Sequence, residues 1–172
     1  YDLNNEFDEE YSEFEAFMAR KELKLISRRM QRGRIKSISD GNYIFTYPPF
    51  GYNIKSDSKK RFLIPDDETC EIVKFIFEEY ISGLGGKKIS EKLNLLNVKT
   101  SFGFDFTSNS VLNIIKNPIY CGYITWNGEK EKLKVKADHI PLISEDVFEK
   151  ANIILSNKKH TPSKKEVKNP FA

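Results

Sequence analysis

The stretch G-F-D-F-T-S-N-S-V-L-N-I-I-K-N-P-I-Y-C-G-Y-I-T-W-N-G, Gly103 to Gly128, decides how the chain folds. Thr107 or Ser108 stands where a helix needs its cap, because a hydroxyl there can accept from the unpaired amides of the first turn. Val111, Leu112, Ile114 and Ile115 follow at helical spacing. Asn117-Pro118 stops the helix near Lys116, since a residue before proline avoids helical backbone. Y-C-G-Y-I-T-W-N-G and E-K-L-K-V-K-A-D then predict a hairpin, with Asn127-Gly128 as its turn signal. A capped helix followed by a ribbon is the end of a helix-turn-helix unit that carries a wing.

Working upstream, Gly83, Gly85 and Gly86 separate two further helices. One covers about residues 67–82, opened by Pro65-Asp66-Asp67, with Ile72, Val73, Phe75, Ile76 and Tyr80 as its buried face. The other covers about residues 87–96, with Ile89, Leu93 and Leu96 facing inward. F-G-Y-N-I and R-F-L-I-P flank S-D-S-K-K and predict a first hairpin. Downstream, Ser144 can cap a last helix over about residues 145–155. Residues 11–35 form a long helix with two apolar stripes, Phe14, Phe17, Met18 and Leu25 on one and Ala19, Leu23, Ile26 and Met30 on the other. Gly33 weakens its final turns. The expected fold is α+β and mainly helical: a long N-terminal helix, then a winged helix-turn-helix-like domain with small antiparallel hairpins. The segments are a long helix at 1–36, a linker at 37–49, the domain at 50–156 and a basic linker at 157–172.

Bulk properties narrow the function. A chain of 172 residues with 39% hydrophobic and 13% aromatic content can bury a core, which argues against global disorder. No run approaches the roughly 18 apolar residues of a membrane span, so no membrane partner is expected and a cytoplasmic location is. The first residue is Tyr1 rather than Met, which suggests a piece of a longer protein. Cys70 and Cys121 are too far apart, and His139 and His160 too few, for a zinc site, so both cysteines read as buried free thiols. The net charge of +3 hides an asymmetry. Seven of the 25 acidic residues lie in 1–16, a segment without Lys or Arg, leaving all 28 bases against 18 acids in the remainder. A body this basic favours a polyanionic partner.

The candidate contacts follow that charge. Arg20, Lys24, Arg28 and Arg32 recur every four residues along the long helix, with Arg29, Arg34 and Lys36 beside them and only Glu22 to offset them. The third short helix offers Ser108, Asn109, Ser110, Asn113 and Lys116; asparagine can pair bidentately with adenine, and Ser or Thr can serve bases or phosphates. Lys88, Lys99, Thr100 and Ser101 are further phosphate candidates, and Tyr47 lies in the linker. The same hydroxyls could equally be plain helix caps. No GxxxxGK[ST], HExxH or GxSxG occurs, so the usual support for phosphate-loop, zinc-protease and hydrolase chemistry is missing. No catalytic residue, metal ligand or cofactor is expected in this stretch of chain.

Set in order, A-R-K-E-L-K-L-I-S-R-R-M-Q-R-G, P-P-F-G-Y, I-P-D-D-E, I-F-E-E-Y-I-S-G, I-S-E-K-L-N-L-L-N-V-K-T, the 103–123 stretch and H-I-P-L-I-S-E-D-V-F resemble the middle of large serine recombinases. These are phage integrases, mobile-element transposases and sporulation excision recombinases. The family commonly has tryptophan near Phe106, a conservative departure. The resemblance implies double-stranded DNA as partner and recombination at attachment sites. It also implies a serine-bearing catalytic domain before this region, a zinc ribbon after it, and strand exchange in a tetramer. It casts the first helix as the one that closes the catalytic domain and pairs subunits through Phe14, Phe17, Met18 and Leu25. It places the Arg32–Lys36 end of that helix, with Arg34, and the linker to Tyr47 along the backbone or minor groove, and Arg28 is a further expected DNA contact. The chain itself should then bind DNA and cleave nothing. Two other functions fit the residues less fully: a winged-helix transcriptional regulator, which would bind DNA without a cleaving parent, and a protein-interaction scaffold, which would show no salt-dependent DNA affinity.

Overall fold

In the computed structural model, residues 3–57, 60–128 and 132–159 are described. Helix α1 (Leu3–Ser39) leads to a hairpin of β1 (Tyr52–Ser56) and β2 (Arg61–Pro65). Helices α2 (Cys70–Ile81), α3 (Gly86–Leu95) and α4 (Ser108–Lys116) follow, then a short 3-10 helix (Pro118–Cys121). A second hairpin, β3 (Tyr123–Asn127) and β4 (Lys132–Lys136), precedes α5 (Glu145–Lys159). The fold is α+β and mainly helical, with each sheet a two-stranded antiparallel pair.

Helix α1 is longer than its periodicity predicts. Every side chain from Phe7 to Met30 is exposed, yet Ile38, past the expected end, is fully buried. Gly33 lies in open space and does not fray the helix. Glycine costs about 1 kcal/mol against alanine there, less than the roughly 1.5–3 kcal/mol that burying Ile38 contributes. The residues after the helix are also tied down. Tyr43 is buried, its N–H donates to Arg61 O at 2.7 Å, and its hydroxyl donates to Tyr47 O at 2.6 Å. Burial pushes the Tyr43 phenol up to about 12.

Three boundaries move for local reasons. Pro65 closes β2 opposite Tyr52, so α2 starts only at Cys70, after a turn in which Asp66 O accepts from Thr69 N and Cys70 N. Asp66 is held by its side chain too, accepting from Asn53 Nδ2 at 2.8 Å and from the Thr69 hydroxyl. Helix α3 ends at Leu95, and Leu96, expected inside, is 68% exposed. Asn97 takes a left-handed φ of 57°, and Val98 packs on the core instead. In the second hairpin Asn127 pairs with Lys132, so the connection is longer than a two-residue Asn-Gly turn. Cys70, expected buried, is only partly so, whereas Cys121 is buried and donates to Pro118 O at 3.2 Å.

One core joins all these elements. Val73, Ile76, Phe77 and Tyr80 of α2 meet Ile89 and Leu93 of α3, Val111, Ile114 and Ile115 of α4, and Ala151 and Leu155 of α5. Two tyrosines staple the loops to it: Tyr120 donates to Phe50 O at 2.9 Å, and Tyr52 donates to Ile140 O at 2.9 Å while accepting from Leu142 N.

His139 is buried beside Tyr52, with Nε2 at 2.6 Å from Ile119 O and Nδ1 without a partner. A carbonyl partner makes Nε2 the protonated nitrogen of a neutral ring. Burial lowers the His139 pKa, with the Ile119 bond opposing. Stability is therefore full above the unfolded value near 6.5 and falls as pH drops below it, because the unfolded chain takes up the proton more readily. Melting temperatures measured from pH 7.5 to 5 should show this loss, and His139→Gln should lack that step.

Candidate nucleic-acid interface

Helix α4 is set by its own cap. Thr107 Oγ1 accepts from Ser110 N at 3.2 Å, and Ser110 Oγ accepts from Thr107 N at 2.8 Å. This reciprocal box satisfies two amides at the helix start. The approach to the helix is pinned by Asn94 of α3, whose amide donates to Phe106 O at 2.9 Å and accepts from Phe106 N at 2.8 Å. Phe106 is buried and meets Phe50 edge-on at 5.2 Å. Helices α3 and α4 come close at Gly86, where a Cβ would stand 3.0 Å from Ser108 Oγ and 3.2 Å from Leu112 Cγ. The three glycines thus differ in role: Gly83 (φ +108°) ends α2, Gly85 caps α3, and Gly86 permits this approach.

These contacts divide the α4 candidates into two sets. Ser108 lies against α3 and Ser110 is occupied in the cap, both half-buried. Asn109, Asn113 and Lys116 are exposed, and their i, i+4, i+7 spacing puts them on one face, opposite Val111, Ile114 and Ile115. Asn94→Ala would leave the Phe106 N–H and C=O without their partner, which costs about 1–3 kcal/mol. Urea denaturation should register that loss, whereas Asn109→Ala, which removes no contact within the fold, should leave stability unchanged.

The 96–107 connection is an ordered loop. Lys99 bridges to Asp105 through both backbone and side chains. Thr100 N donates to Phe104 O at 2.8 Å, and Thr100 Oγ1 accepts from Phe104 N at 3.2 Å. Lys99 is thus paired at an exposed bridge, and Thr100 builds the turn. The loop exposes Phe102 and Phe104, and Tyr47 of the linker stands edge-on to Phe102 at 5.5 Å. Sequence reasoning passed over Asn94, Phe102 and Phe104. The visible signal was F-G-F between Lys99 and Asp105, two large apolar residues in a segment without period.

On α1, Arg28, Arg32 and Lys36 are exposed along one ridge, while Arg34, two residues from each of the latter pair, points to nearly the opposite face. Lys88 is exposed on α3. Four ion pairs occur among the described residues, Lys60–Asp138, Lys74–Glu71, Lys92–Glu79 and Lys99–Asp105. None of them uses Arg28, Arg32, Arg34, Lys36, Lys88 or Lys116, so these six exposed cations stand outside the described ion pairs. Phe14, Phe17, Met18 and Leu25 form an exposed apolar stripe on α1. No group of three His, Cys, Asp or Glu among the described residues is placed to hold a metal, and no described helix is long and apolar enough to cross a membrane.

The family model described as Recombinase matches residues 67–158, the span from the approach to α2 through most of α5. The chain belongs to the Recombinase family. Two solved structures share its fold. One is the crystal structure of an LSR–DNA complex (LSR, large serine recombinase), at 27% identity and a TM-score of 0.65 over 81% of this chain. The other concerns the sequence requirements of the Listeria innocua prophage attP site, at 28% identity and a TM-score of 0.63 over 78% of this chain. This Recombinase chain spans 43% and 54% of those two chains, about half their length. The resemblance to large serine recombinases read from the ordered segments is the one these matches show.

Proposed function

We propose that this Recombinase chain binds duplex DNA sequence-specifically at recombination (attachment) sites, as part of a large serine site-specific recombinase. The observation that carries the reading is the bare polar face of α4, Asn109, Asn113 and Lys116, on a helix whose start is fixed by its cap and by Asn94. An asparagine on a helix in the major groove can pair with adenine, and the lysine can reach phosphate. Lys88 supplies a second phosphate contact. Arg28, Arg32 and Lys36 track one stretch of backbone, and Arg34 meets a separate one. The exposed stripe of Phe14, Phe17, Met18 and Leu25 supports self-association in the full-length protein. The chain needs no cofactor to bind, works in the cytoplasm, and leaves cleavage to a serine domain elsewhere in the parent protein. The family match gives the regulator and scaffold alternatives no support.

Fluorescence anisotropy with a duplex selected from a randomised pool tests the reading. Asn113→Ala should cost about 1–3 kcal/mol, concentrated at one base position. Arg34→Ala should weaken binding to all sequences and reduce the salt slope by about 1. Unchanged binding in both variants would rule out this docking.

A further inference from the structure

The loop between α3 and α4 holds two phenylalanines that the fold leaves uncovered, Phe102 at 66% and Phe104 at 73% exposure. They are not there because the loop is loose. The Lys99–Asp105 bridge closes its base, and the Thr100–Phe104 and Gly103–Thr100 hydrogen bonds shape its tip. Apart from the edge-on contact of Phe102 with Tyr47, the two rings face solvent, and a clustered apolar surface of this kind marks a contact. With Pro48, Pro49 and Phe106 they wall a groove of about 440 Å³ that opens beside α4. Of the polar α4 side chains along it, Ser110 is occupied in the cap, and Asn113 is free to face a ligand.

An uncommitted carboxamide beside an aromatic wall has a specific complement in duplex DNA. In the major groove an adenine–thymine pair presents N7 and the N6 amine of adenine, which a carboxamide can engage bidentately, and next to them the 5-methyl group of thymine. A guanine–cytosine pair carries no such methyl. We infer that Asn113 and the Phe102–Phe104 groove read one adenine–thymine pair together, the amide taking adenine and the aromatic wall taking the thymine methyl. The inference rests on α4 being the DNA-facing helix, and adds to it the loop as a second reader of the same pair.

Uracil is the test, because it is thymine without that methyl. The intact chain first selects its preferred duplex from a randomised pool, which is then resynthesised with uracil replacing thymine one position at a time. At the thymine paired with the adenine whose preference Asn113→Ala abolishes, uracil should weaken binding about fourfold, the worth of one buried methyl. Phe104→Ala, alone and with Phe102→Ala, should bind the thymine and uracil duplexes equally. Both side chains are exposed, so an unchanged melting temperature certifies these variants as folded. If uracil is silent at every position, or the phenylalanine variants still discriminate, the aromatic reader is wrong. A silent uracil series with an active Asn113→Ala effect overturns only this inference and leaves α4 docking intact. A silent Asn113→Ala overturns the α4 reading, and the paired reader with it.

Discussion

Phe77→Ala lowers the free energy of unfolding by about 3–5 kcal/mol, the cost of removing a fully buried phenylalanine that its neighbours cannot close over. Phe77 has no exposed surface, and its ring lies 6.1 Å from that of Tyr120 and 6.3 Å from that of Phe148. It therefore joins α2 to the 3-10 helix on one side and to α5 on the other. The residual cavity would adjoin the buried Tyr120 ring, which its hydrogen bond to Phe50 O holds in place, so collapse is limited. Set against a total stability of about 5–15 kcal/mol for a domain, the loss is a large fraction. A urea titration should show a lower midpoint with an unchanged slope. A change below about 1 kcal/mol would mean that the ring is not the joint described.

Gly51→Ala is expected to destabilise by about 2–5 kcal/mol, from two sources that add at one atom. Gly51 has φ +90°, where any Cβ strains the backbone by about 1–2 kcal/mol. That Cβ would also stand 2.6 Å from Val73 Cγ2 and 3.1 Å from Leu142 Cδ1, and overpacking a core costs about 1–3 kcal/mol. Val73 is fully buried on α2 and has no room to retreat. Gly51 O also accepts from Asp66 N at 3.0 Å, so a shift of residue 51 disturbs the turn before α2. Thermal denaturation reads the loss, and Gly33→Ala is the control. Gly33 lies in a helix with open space where a Cβ would stand, so alanine there should stabilise slightly.

The helices were legible because their signals are local. The run Val111, Leu112, Ile114, Ile115 between Thr107 and Asn117-Pro118 places α4 to within a residue, since cap, apolar period and stop all lie in one short segment. Where the reading slipped, a distant contact decided. The end of α1 depends on Ile38 being taken into the core, which no pattern in residues 11–35 reports. The start of α2 waits on Pro65 pairing with Tyr52 across a hairpin. Leu96 turns outward because Asn97 reverses the chain and Val98 fills the inner position.

The candidate contacts divide in the same way. Composition and spacing alone marked the basic end of α1 and the polar start of α4, and the ordered motifs carried the resemblance to large serine recombinases, because residue types in order survive without coordinates. Only the tertiary structure separated Asn109, Asn113 and Lys116 from Ser108 and Ser110. The separation depends on where α3 packs and on which hydroxyl completes a cap. Only it set Arg34 apart from the Arg28–Lys36 ridge, paired Lys99 with Asp105, and brought Tyr47 to Phe102 from far along the chain. The physical reason is range. Caps, periods and stops act over a turn of helix, whereas burial, ion pairing and ring contacts depend on segments that meet only once the core has formed.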